Sequence, residues 1–133
     1  MLMKRFISAA LCFICILVLA ACGKKADPIV LPRADDITSV DITADGNTVS
    51  YSDKTWIHEI ISDISAAEPT GKESVQDIPQ TENYIKIVLN TATDVSTTLY
   101  AYEDTYGFYI EQPYQGIYKI NSELYEQLHI KNK

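Results

Sequence analysis

The polar and apolar positions of this chain follow two periods, and the places where the period changes mark out its elements. From residue 37 the sequence ITSVDIT, the turn Ala-Asp-Gly-Asn and TVSYS alternate with period two around Asp45-Gly46, a strong two-residue hairpin signal. Closing the loop on that pair sets Ile42 opposite Val49, Val40 opposite Tyr51, Thr43 opposite Thr48 and Asp41 opposite Ser50, so like meets like on each face. The period then lengthens. In DKTWIHEIISDISAA, Trp56, Ile57, Ile60, Ile61 and Ile64 recur at helical spacing behind a capping Ser52 or Asp53, and Glu-Pro-Thr-Gly at 68–71 ends the run.

After a connection of about 16 residues, long for a compact domain, period two returns in NYIKIVLN, STTLYAYE, FYIEQ and GIYKI. Val75 and Ile78 are expected to pin that connection onto the core. Turning the chain at Asp104-Thr105-Tyr106-Gly107 pairs Glu103 with Phe108, Ala101 with Ile110 and Tyr102 with Tyr109. One face then carries Leu99, Ala101, Phe108 and Ile110, and the other Tyr100, Tyr102, Tyr109 and Glu111; the face taken by Ile117 and Tyr118 stays open. Asn121 or Ser122 caps a last short helix, SELYEQL. The expected fold class is α+β: a small antiparallel sheet in the order β-β-α-β-β-β-β-α, with the Trp56 helix packed on one face.

A different pattern precedes the domain. Lys4-Arg5, an apolar run of about 16 residues and Leu19-Ala20-Ala21-Cys22 have the layout of an export signal, and the run is short for a bilayer span. The four residues closing it, followed by Gly23, resemble the lipobox of bacterial lipoproteins. That resemblance implies cleavage before Cys22, acylation of its thiol and a lipid-anchored, extracytoplasmic protein at the cell membrane. The domains are then 1–21 signal peptide, 22–36 lipid attachment and tether, in which Pro28 and Pro32 favour an extended spacer, and 37–133 a single α+β domain.

Charge and cysteine usage sharpen this. Cys12 and Cys15 leave with the signal and Cys22 takes the lipid, so the exported domain has no disulfide and must be held by packing. The formal charge of −7 becomes −9 once Lys4 and Arg5 are removed, which disfavours nucleic acid as a partner.

Motifs for chemistry fail on inspection. His58-Glu59 begins a helical zinc motif, but position 62 is Ser where the second His is required. Gly71-Lys72 is followed by Glu73 and lacks the upstream glycine of a phosphate loop, and Asp41, Asp45 and Asn47 lack the spacing and closing Glu of a calcium loop. No Ser-x-x-Lys or G-x-S-x-G occurs. No catalytic residue, metal or cofactor is therefore expected.

The stretch NYIKI, with TLYAYE and YGFYIEQPYQGIYKI after it, resembles an uncharacterised domain-of-unknown-function family of Gram-positive bacteria. The likeness spans roughly 74–125 and is most distinctive over 110–118. That family occurs in short lipoproteins and appended to BlaR/MecR-type antibiotic-sensing membrane proteins. The resemblance implies an extracytoplasmic sensory or interaction module and carries no catalytic residues.

Two functions stay open on these grounds. One is a non-catalytic, monomeric binding module whose partners are the membrane, through lipid, and an envelope protein. The other is a lipoprotein enzyme acting on cell-wall or carbohydrate material. Nine tyrosines against one Phe and one Trp in the exported chain make Tyr84, Tyr100, Tyr102 and Tyr109 the candidate recognition surface, because tyrosine combines contact area with a polar tip. Tyrosine is also a strong strand former, so the same four could serve the sheet alone, covered by the last helix.

Overall fold

The computed structural model describes residues 27–130, with the side chain of Ile130 not among them. Residues 1–26 and 131–133, and with them the signal segment and Cys22, lie outside the described residues. A single 3-10 turn, Ala34–Asp36, leads into β1 (Ile37–Ala44), β2 (Asn47–Tyr51), α1 (Lys54–Ser65), β3 (Glu68–Pro69), β4 (Ile85–Thr91), β5 (Ser96–Asp104), β6 (Gly107–Gln112), β7 (Gly116–Ile120) and α2 (Ser122–Ile130). The fold is α+β. The strands form one antiparallel sheet in the order β2-β1-β4-β5-β6-β7-β3. Strands and helices follow the order expected from the periodicity, with the two-residue β3 added where the chain leaves α1 and pairs with Tyr118 and Lys119.

Local chemistry explains the elements. Asp45 (φ 52°) and Gly46 (φ 79°) both take the left-handed conformation that a two-residue hairpin turn demands. The resulting register has Ile42 opposite Val49 and Val40 opposite Tyr51, as the alternation predicts. Asp53 caps α1, its Oδ1 accepting from the backbone N–H of Thr55 at 2.9 Å and of Trp56 at 3.2 Å. Asn121 does the same for α2, accepting from Leu124 N–H at 2.8 Å.

The core lies between the helices and one sheet face. Trp56, Ile57, Ile60, Ile61 and Ile64 of α1, with Leu124 and Leu128 of α2, cover Val40 and Ile42 of β1, Ile85, Ile87 and Leu89 of β4, Leu99 and Ala101 of β5, and Ile110 of β6. Ile120 of β7 joins this cluster. Tyr118 sits opposite Ile110 on the same face, fully buried, while Ile117 pairs with Glu111 on the other. The last helix therefore covers the core face, with Tyr125 4.8 Å from Phe108, and leaves the tyrosine face to a different element.

That element is the connection between β3 and β4, and its pins are not the expected ones. Val75 is 71% exposed and Ile78 51% exposed, whereas Ser74 and Pro79 are buried. The correction has a physical reason: the sheet beneath presents the buried carboxylate of Glu111, which the Ser74 hydroxyl can bond and an aliphatic side chain cannot.

Ile60 is fully buried at the centre of α1. Ile60→Ala should cost about 2–5 kcal/mol of unfolding free energy, while Glu59→Ala on the exposed side should stay within about 0.5 kcal/mol. Urea titrations followed by the Trp56 fluorescence measure both.

Candidate functional site

On the face away from the helices the sheet has two halves. Over β1 and β4 it is polar and partly open, with Asn90 Nδ2 donating to Asp41 Oδ2 at 2.9 Å. Over β5 and β6 it is aromatic and covered. Tyr100, Tyr102 and Tyr109 are buried and Tyr84, just before β4, is half-buried. Their rings pair across the strands: Tyr84 meets Tyr100 edge-on at 5.2 Å between centroids, and Tyr102 meets Tyr109 at 5.9 Å. The structure thus brings the four sequence-predicted tyrosines onto one face in two pairs, beside and beneath the strap formed by residues 70–83.

Contacts at Thr70, Lys72, Ser74 and Asp77 hold the strap. Thr70 bonds Ile117 O twice, through its backbone N–H at 3.0 Å and its hydroxyl at 2.7 Å. The Ser74 hydroxyl donates to Glu111 Oε1 at 2.6 Å, and the Tyr114 hydroxyl donates to Asp77 Oδ1 at 2.7 Å. Lys72 Nζ stands 5.6 Å from the ring centre of Tyr109 and 6.0 Å from that of Tyr106, within cation–π range.

Glu111 is the residue that periodicity alone undervalues. It is 2% exposed, a carboxylate among tyrosines, and an ionised group at such a site needs hydrogen-bond donors. Ser74 supplies one. Tyr102 stands beside it, and its ionisation is pushed up by burial first and by the negative charge of Glu111 second. Tyr100 is raised by the same two causes, burial leading, with Tyr84 and Asp77 contributing ahead of Glu111. This is a place that holds tyrosines protonated around a buried carboxylate.

The outer surface of the strap is of opposite character. Of seven large hydrophobic side chains exposed among the described residues, four belong to the strap or touch it: Val75, Ile78, Tyr106 and Tyr114. Tyr106 is held by the turn it occupies, its N–H bonded to Asp104 Oδ1 at 2.7 Å. Tyr114 takes a left-handed φ of 62° in the turn between β6 and β7, which directs it out of the ladder.

The other sites weighed from sequence come out plainly. His58 is a half-exposed helix residue whose Nε2 lies 3.0 Å from Asp35 Oδ1. Among the described residues no group of three or more His, Cys, Asp or Glu is placed to hold a metal ion, and no helix is long and apolar enough to cross a membrane. Two open clefts of about 490 and 520 Å³ lie away from the tyrosines Tyr100, Tyr102 and Tyr109. The first lies between the end of α1 and the start of α2, and the second beside the β1–β2 turn.

Fold and strapped face together define a small α+β module in which one sheet face is covered by helices and half of the other by a polar, pinned strap. The chain belongs to the DUF5301 family, described as "Domain of unknown function (DUF5300)", which matches residues 25–119. It is also similar to a solved structure, "NMR structure of the protein from Ruminococcus gnavus". The two share 33% identity and a TM-score of 0.62, over 72% of this chain and 97% of that one. No curated protein matches the chain.

Two outcomes follow from the buried Glu111–tyrosine cluster. Ser74→Ala removes a hydroxyl from a buried carboxylate and should cost about 1–3 kcal/mol in denaturant titrations. Because the folded state holds Tyr102 protonated above the ordinary tyrosine value of about 10, its contribution to stability is complete below that pH and is lost as pH rises beyond it. Melting temperature should therefore fall on the alkaline side of about pH 10, and Tyr102→Phe should flatten that fall.

Proposed function

We propose that this protein is a membrane-anchored, extracytoplasmic lipoprotein whose domain is a non-catalytic binding module for a protein of the cell envelope. The anchor reading rests on the conjunction of Lys4-Arg5, the apolar run and Leu19-Ala20-Ala21-Cys22. Two acyl chains on one residue suffice for stable attachment without a spanning helix. The resemblance to domains appended to BlaR/MecR-type sensors makes an envelope sensor a fitting partner class.

The observation that carries the binding role is the clustering of exposed Val75, Ile78, Tyr106 and Tyr114 on and around one strap. Such side chains gather where a surface is covered by something else. In this arrangement Tyr84, Tyr100, Tyr102 and Tyr109 are the footing of the recognition surface and the strap is its contact layer. An enzymatic reading draws no comparable support, since the one buried carboxylate among the described residues is bonded to Ser74 beneath the strap.

Membrane-extracted protein should have the intact mass of a chain beginning at Cys22 plus acyl groups; an unmodified chain retaining residues 1–21 would overturn the anchor. For the binding role, a photo-crosslinking amino acid placed in living cells at 75, 78, 106 or 114 should give a discrete adduct. The same probe at Val49 or Val95, also exposed but remote from the strap, should not. Equal labelling at all six positions would reject the strap as the contact layer.

A further inference from the structure

The residues leading into the sheet are gripped. Gln112 shares the face of Phe108 and Ile110 and is 8% exposed, and its amide engages Val30 in both directions. Val30 N–H donates to Gln112 Oε1 at 2.8 Å, and Gln112 Nε2 donates to Val30 O at 2.6 Å, the exchange a neighbouring strand would make. Gln115 Nε2 donates to Pro28 O at 3.2 Å, and the hydroxyl of fully buried Tyr118 donates to Asp27 O. Ile29 and Leu31 pack against the core between these bonds. Three side chains of one hairpin thus fix the backbone from Asp27 onward, inside the stretch expected to be a spacer.

We propose that the β6–β7 hairpin is a leash stop: by gripping the chain at Asp27 it holds the anchored domain close to the bilayer with that hairpin toward the lipid. This rests on Cys22 as the lipid site. Five residue steps separate Cys22 from Asp27, about 17 Å when fully extended. Were the grip released as far as Ile37, fifteen steps would reach about 50 Å. A domain of 100 residues has a radius of gyration of about 13 Å, so the short leash is less than one domain diameter and prevents the domain from turning over.

Charge and topology give the leash its use. All eighteen acidic residues fall between Asp27 and Glu126, against five basic ones in that span, Arg33, Lys54, Lys72, Lys86 and Lys119. Anionic headgroups repel such a body and would drive it to the end of any long tether. Held short, the hairpin faces the membrane, and β2, five strand spacings or about 24 Å across the sheet, faces away. Tyr114 stands in the gripping hairpin and bonds the strap at Asp77, so the short leash also keeps the strap near the membrane.

The test couples the chain from Cys22 onward, through that thiol, to maleimide-bearing lipid in phosphatidylcholine vesicles carrying an acceptor-labelled lipid. The coupling makes the leash measurable whether or not cells acylate Cys22. A donor dye attached through an azide-bearing amino acid at position 114 should transfer more energy to the vesicle than one at position 49. Inserting about twenty Gly and Ser residues between Ala26 and Asp27, which extends the tether's full reach by about 70 Å, roughly twice the domain's diameter, and leaves every gripping bond intact, should abolish the difference. Equal transfer at both positions before insertion, or a difference that survives it, would overturn the leash. In solution the Val30 amide should exchange slowly with deuterium and lose that protection in Gln112→Ala; rapid exchange in the parent would overturn the grip. An unacylated Cys22 in membrane-extracted protein would overturn the anchor reading, and the membrane role with it, independently of the vesicle result.

Discussion

The constraint that shapes this domain is two-sided burial at the centre of its sheet. Four consecutive residues of β5, Leu99 to Tyr102, and four of β6, Tyr109 to Gln112, are all buried, so both faces of these paired strands are out of water. A sheet covered by helices on one face can leave the other to solvent; here it cannot, because Tyr100, Tyr102 and Tyr109 on that face carry too much apolar area to leave exposed. The chain between β3 and β4 has no regular structure of its own and still has to cover them. Its length, unusual for a compact domain, is what crossing β7, β6 and β5 to reach β4 requires. Glu111 beneath it asks for a hydrogen-bond donor, which Ser74 supplies, and Lys72 stands over the face of the Tyr109 ring.

This is also why some of the fold was legible in the sequence and some was not. The β1–β2 register could be read because Asp45-Gly46 is a strong turn signal and a one-residue slip would set Ile42 against Thr48 or Ser50. The division of β5 and β6 into an aliphatic and a tyrosine face follows from the same alternation. Which element covers the tyrosines could not be read, since Leu124, Tyr125 and Leu128 would suit either face. The choice is made by α1 and α2 sharing one core, through Leu124 and Leu128. Val75 and Ile78 misdirect because the buried place beneath the strap goes to Ser74, whose hydroxyl bonds Glu111. Glu111 and Gln112 did carry a signal, as polar residues in a strand where aromatic and aliphatic neighbours are buried on both faces.

Ion pairing adds little to this economy. Among the described residues the pairs are Arg33 with Asp35 at 3.8 Å and His58 with Asp35 at 3.0 Å, all four side-chain values being more than half exposed, where such contacts contribute about 0–1 kcal/mol. Eighteen acidic side chains against five basic ones in the same span leave a net repulsion that the apolar core must outweigh. Packing outweighs it through isoleucine, which supplies four of the five buried side chains of α1 and recurs opposite them in β1, β4 and β6.

The β6–β7 hairpin is where these demands meet. One of its sides bonds the strap, through Glu111 to Ser74, Ile117 to Thr70 and Tyr114 to Asp77. The other grips the incoming chain, through Gln112, Gln115 and Tyr118. Glu111 and Gln112 are adjacent, so the pleat sends one to the strap and the other to the chain leading in from the N-terminus. A partner pressing on the strap and a pull on the N-terminal segment would therefore bear on neighbouring residues of a single strand.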